Sequence, residues 1–195
     1  MTYSELKTAT LQLLIVPSTV TQIANIINQE LNSGQKQFLQ IIISNYKQGI
    51  EGFQEIGNYV PGLISSGTII TNSGQSEYTL NSDVVLLLGV TIDDQPIDLI
   101  EFDDTWLEYY RPDSLSTTNF LTARRYGEKL IINPAQLDGR LIKYNYVSEP
   151  TDMSGTNDTP SIAPEHHERL KYYAAYMAAQ QSIKLVEGYT PQYLL

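Results

Sequence analysis

Glu165, His166, His167 and Glu168 form the densest group of side chains able to hold a metal or move a proton, and they include both histidines of the chain. A zinc-binding helix needs ligands at i and i+4 on one face, whereas sequence neighbours on a helix point about 100° apart. The group therefore predicts the first turn of a helix, where the dipole favours carboxylates, with exposed histidines and no metal. A second group is acidic: Asp93, Asp94, Asp98, Glu101, Asp103, Asp104, Glu108 and Asp113. A calcium loop would need a central glycine, and residues 93–104 lack one and place Pro96 and Ile97 inside the stretch. A glycosidase would need one privileged carboxylate pair, and no pair stands out. The absence of cysteine excludes disulfides, thiol nucleophiles, iron–sulfur clusters and Cys-type zinc sites. No glycine-rich phosphate loop is present, since Gly62, Gly67 and Gly74 read as turn residues scattered through a β region. The residues predict no enzyme and no cofactor.

The elements that must carry these groups fall into three segments. Residues 1–58 read as two or three helices. An amphipathic stretch over 3–14 is stopped by Pro17, and Val20, Ile23, Ile27 and Leu31 recur at helical spacing. Asn32, Ser33 and Gly34 offer a C-cap, with an uninterrupted helix as the alternative, and Phe38, Ile42, Tyr46, Ile50 and Phe53 continue the stripe. Residues 59–150 read as about five to seven short antiparallel strands, with a hairpin turn at Asp93, Asp94, Gln95 and Pro96 and a tight turn at Asp138 and Gly139. Residues 151–195 read as a loop too polar to pack, a helix to about Val186 and a short tail. On that helix Leu170, Tyr173, Ala174, Met177 and Gln181 share a face, and Ala174, Ala175, Ala178 and Ala179 suit close contact with another helix, within one subunit or between subunits.

Net charge is −10 over 195 residues, and its distribution is regional. Residues 59–113 carry ten acids against the single base Arg111, a net of −9, so the middle of the chain holds nearly all the excess. Such a surface opposes tight binding of nucleic acid, because each phosphate contact needs a cation. The longest apolar run, residues 84–88, falls far short of the roughly 20 residues of a membrane span, and the opening residues predict no secretory leader.

The blocks occur in a telling order. Tyr78, Thr79, Leu80, Asn81, Ser82 and Asp83 precede the apolar run from Val84 and the turn Asp93, Asp94, Gln95, Pro96 and Ile97; then come Arg125, Tyr126 and Gly127, Lys143 to Pro150, and Asp158, Thr159, Pro160, Ser161, Ile162, Ala163 and Pro164 before a Tyr-Ala-Ala-rich helix. This order, with the opening Met1, Thr2, Tyr3, Ser4, Glu5 and Leu6, resembles the head-to-tail adaptor, or connector, proteins of tailed bacteriophages. The resemblance implies an α+β fold, in which a helical bundle from the N- and C-terminal segments carries an inserted antiparallel β region. It further implies a structural virion protein, assembled in the host bacterial cytoplasm, whose copies form a ring, usually dodecameric, in the virion neck beneath the portal protein. Tail or further neck proteins would be its other partners, and double-stranded DNA would pass without tight binding. A channel wall that lets DNA slide should be neutral or negative, which makes Asp93, Asp94, Asp98, Asp103 and Asp104 the expected channel or rim face. Tyr189, Tyr193, Leu194 and Leu195 are unusually apolar for a terminus and are the expected docking residues for a neighbouring subunit or the portal. The rival reading is a tail-associated carbohydrate-binding or other binding module, stacking ligand on Trp106, Tyr109 and Tyr110.

Overall fold

A computed structural model describes residues 1–14, 21–99, 122–133 and 137–186. The chain divides into two compact units, Ile64–Glu149 and a unit made of Met1–Leu63 with the segment beginning at Pro150.

The second of these units rests on three helices, α1 (Tyr3–Leu13), α2 (Thr21–Lys47) and α3 (His167–Val186). Thr2 starts α1 with a capping box: its hydroxyl accepts from the Glu5 N–H and the Glu5 carboxylate accepts from the Thr2 N–H at 2.8 Å. The C-cap offered by Asn32, Ser33 and Gly34 is not used, because α2 runs unbroken through it. The glycine serves contact instead: a Cβ on Gly34 would stand 2.8 Å from Tyr173 Cδ1 and 3.2 Å from Leu170 Cδ2, so α2 and α3 pack closely there. Leu6, Ile27, Leu31, Leu39, Ile42, Leu170, Ala174 and Ala178 form the buried interior. The alanine face of α3 is thus spent within the subunit at Ala174, Ala175 and Ala178.

The loop before α3 packs, against expectation. Met153, Pro160, Ile162 and Ala163 are buried, and Asn32 clamps the Met153 backbone through both its N–H (2.8 Å) and its carbonyl (3.1 Å). The Gln35 carbonyl oxygen accepts from the Ser161 N–H, and the Asp158 carbonyl accepts from the Tyr3 N–H. Side-chain amides thereby supply the partners that a polar loop needs if it is to be covered.

The other unit is a curled seven-stranded mixed sheet: β1 (Ile64–Ile70), β2 (Glu77–Thr79), β3 (Val84–Ile92), β4 (Gln95–Leu99), β5 (Thr122–Tyr126), β6 (Lys129–Asn133) and β7 (Leu141–Ser148), in the order β1-β7-β3-β4-β5-β6-β2. This overturns the expected class. The architecture is dominated by the mixed sheet, with three α-helices among the described residues, and is not a helical bundle carrying an antiparallel insertion. Two physical reasons explain the miss. Alternation of side chains reports a strand but not its direction, and β4 and β5 pair in parallel (Asp98 with Thr122, Leu99 with Ala123). Sequence neighbours also part company in space: β1 and β2 flank one turn yet form opposite edges, and β6 and β7 are not adjacent.

The sheet makes its own core from Tyr78, Leu80, Val84, Val90, Ile92, Ala123, Leu130, Ile132, Ile142, Tyr144 and Tyr146. Gly67 is no turn residue but the centre of β1, opposite Tyr144, whose ring lies across it; a Cβ there would fall 2.2 Å from Tyr144 Cζ. The Tyr144 hydroxyl reaches Asn81 Oδ1 at 3.2 Å, and the Tyr146 hydroxyl meets Asn81 Nδ2 at 2.9 Å and lies within 3.4 Å of both Asp83 oxygens. Where β3 slips register against β7, the Arg125 guanidinium takes the carbonyls of Val84 and Val85. Burial lowers the pKa of that guanidinium.

Candidate functional site

The acidic hairpin tip is tighter than the expected four-residue turn, because Gln95 and Pro96 already belong to β4. Ile92 pairs with Gln95, leaving Asp93 and Asp94 as the two loop residues, with φ of 48° and 65°. Positive φ at both central positions matches the twist of a tight hairpin, and aspartate is among the few non-glycine residues that tolerate it. Both acids are matched by bases, Arg140 just before β7 and Lys143 within it. Asp93 forms an ion pair with Arg140 and accepts from the Leu141 N–H at 2.9 Å, while its own N–H donates to the Leu141 carbonyl at 2.8 Å. Lys143 Nζ lies 2.6 Å from Asp94 Oδ1. The mutual repulsion expected of this cluster is therefore offset at the tip. Asp98 is exposed on β4. Asp103 and Asp104 lie outside the described residues, as do Trp106, Tyr109 and Tyr110 of the rival reading.

The histidine group is a packing feature. His167 is only 4% exposed, not exposed as expected, and its ring bridges the Ile162 carbonyl (Nε2, 3.0 Å) and the Met1 amine (Nδ1, 3.0 Å). His166 stacks on Tyr59, which stacks on Phe53, and it also meets Phe38 at 5.0 Å between ring centroids. Burial pushes the pKa of both imidazoles down, assisted at His166 by the positive charge of Arg169 and opposed at His167 by the Ile162 carbonyl. Among the described residues no three His, Asp or Glu side chains stand close enough to hold a metal ion.

A groove of about 570 Å³ lies between α1, α2 and the loop after Pro150. Lys7, Asn28, Gln29, Asn32, Ser4, Tyr3 and Ser154 are among its lining residues, so it holds one cation and several amides but no carboxylate to act as a base. The exposed side of α3 carries Tyr172 and Tyr176, 56% and 62% exposed. Their signal was present as an i, i+4 pair set between the buried positions Leu170, Ala174 and Ala178, and reading only the apolar face passes over it. No described helix is long and apolar enough to cross a membrane.

What these surfaces belong to is decided by likeness along most of the chain. A family model described as SU10 adaptor protein matches residues 1–190. The chain belongs to the SU10 adaptor protein family. It is at that level a phage adaptor protein, in agreement with the resemblance drawn from the order of its sequence blocks. No curated protein matches it. For this adaptor, the tail residues Tyr189, Tyr193, Leu194 and Leu195 lie outside the described residues.

Proposed function

We propose that this adaptor is a structural subunit of the virion neck, forming a ring beneath the portal that joins head to tail and continues the DNA channel. The observation that carries this reading is the adaptor-family match over residues 1–190. The described surfaces support a role without catalysis, since the histidines are packed into aromatic and backbone contacts and the hairpin acids are held by Arg140 and Lys143. In the same reading, Asp93, Asp94, Asp98, Asp103 and Asp104 make up the channel or rim face, with the charge of Asp93 and Asp94 balanced by Arg140 and Lys143. DNA would then pass a wall with few free cations to retain its phosphates. The segment carrying Tyr189, Tyr193, Leu194 and Leu195 docks on a neighbouring subunit or on the portal.

The test is native mass measurement of the protein alone and with purified portal rings, together with an in-frame deletion in a phage that encodes it. The expected results are a closed complex on the portal and, in the deletion, DNA-filled heads without tails. Failure to bind portal, with infectious particles still formed by the deletion, refutes the reading.

A further inference from the structure

The two edges of the sheet differ sharply. One edge, β2, is short, and its Glu77 is paired with Lys129 on β6. The other edge, β1, runs through Ile64, Ser65, Ser66, Gly67, Thr68, Ile69 and Ile70, with no charge, no proline and no slip in its register against β7. Natural sheets guard free edges with charge, proline, bulges or brevity, because an open row of N–H and C=O groups is a template for another strand. Among the described strands only β7 lies beside β1.

The direction of the backbone groups is fixed by the ladder. The Thr71 N–H donates to the Arg140 carbonyl at 2.9 Å, which extends the pairing of Ile70 with Leu141 by one position. Hydrogen-bonded and open positions alternate along an antiparallel pair, so Ser65, Gly67 and Ile69 turn their backbone groups to β7. Ile64, Ser66, Thr68 and Ile70 turn theirs outward, and all four are exposed.

We infer that in the free protein this edge is covered by β1 of a second copy, antiparallel, across a two-fold axis passing between the two Gly67 residues. The register is self-consistent. With Gly67 opposite Gly67, Ser66 faces Thr68 of the second copy and Ile64 faces its Ile70, so every outward residue meets an outward residue and the ladder closes. The side chains agree along each cross-strand row. Leu141 and Ile70 continue into Ile64 and Val147 of the second copy, which is apolar throughout, and Ile64 and Ile70 are 40% and 65% exposed in one chain. Lys143 and Thr68 continue into Ser66 and Asn145 of the second copy, which is polar and sets no two lysines in one row. Isologous pairing of this kind is a two-fold contact, whereas neighbours around a ring meet through different surfaces. The inference thus goes beyond the ring reading and concerns the protein before it docks.

Sedimentation velocity of the full chain from about 1 to about 100 μM tests it, with dimer expected at the upper end. Thr68→Pro removes an outward N–H that the β7 ladder does not use, so it should weaken the dimer by about tenfold or more while the circular dichroism melt is retained. Ser66→Lys with Thr68→Lys, and Ser66→Glu with Thr68→Glu, should each be monomeric, and an equal mixture of the two should dimerise. A wild type that stays monomeric at the highest concentration overturns the inference, as does a dimer that survives Thr68→Pro and both charged variants. A monomeric wild type whose Thr68→Pro variant loses binding to portal rings assigns the edge to a strand of a partner protein instead.

Discussion

Replacing Gly67 by alanine places one methyl group against the ring that organises the sheet. The new Cβ would stand 2.2 Å from Tyr144 Cζ and 2.3 Å from its hydroxyl oxygen, where carbon atoms rest at about 3.5–4.0 Å. Tyr144 is 2% exposed and has little room to retreat, and moving it breaks the 3.2 Å bond to Asn81 and disturbs the 5.6 Å contact with Tyr146. Overpacking costs about 1–3 kcal/mol and the hydrogen bond about 1 kcal/mol, while alanine returns about 0.5–1 kcal/mol through its smaller entropy loss in a strand. The net is about 1–3 kcal/mol, or a fall in Tm of about 5–20 °C for a unit of this size. Near-ultraviolet circular dichroism, sensitive to the packed tyrosines, is the assay. The clash also predicts coupling: with Tyr144→Val already present, Gly67→Ala should cost little more. A single variant melting within about 2 °C of wild type, or strictly additive losses in the double variant, would refute the steric account.

Gly34→Val should destabilise the helical unit by about 2 kcal/mol, because the branched side chain enters the space of Tyr173 and Leu170; chemical denaturation reads this directly. Both imidazoles have folded pKa values held below the ordinary value near 6.5, so the stability they confer is complete above that pH and is lost as pH falls through the lowered values. The Tm difference between pH 7.5 and pH 5 should accordingly shrink in a His166→Gln, His167→Gln variant. Asp98→Lys with Asp103→Lys and Asp104→Lys should slow DNA release from assembled particles in a salt-relieved manner, whereas loss of tail attachment with normal ejection would mark a docking face. Deleting residues 189–195 should abolish incorporation into particles with little change in Tm; a large fall in Tm would show that the segment folds back on its own subunit.

Local chemistry was the legible part of this sequence. The Asp93 and Asp94 turn, the strand from Val84 and the buried stripe of Leu170, Ala174 and Ala178 follow from backbone preference and periodicity, which operate over a few residues. Partners far apart in sequence were not legible. Nothing around Asp93 or Asp94 announces that Arg140 and Lys143 will neutralise them, and nothing near Gly67 announces Tyr144. Gly34 shows the limit most clearly, since an Asn-Ser-Gly sequence is a sound stop signal until a second helix rewards the missing side chain. His167 misled for the same reason: its neighbours Glu165 and Glu168 are solvent-facing, and only the fold brings the Ile162 carbonyl to its ring. Family membership, by contrast, was legible from the order of unremarkable blocks, none of which carries it alone.

The parallel pairing of β4 with β5 has a consequence for how the chain can change. Asp98 pairs with Thr122 and Leu99 with Ala123, so the end of β4 and the start of β5 are fixed side by side. Closing a longer connection costs only about 0.6 kcal/mol for each doubling of its length, and no strand need shift register to admit it. The register of these two strands is therefore set by their own ladder and not by the number of residues that join them.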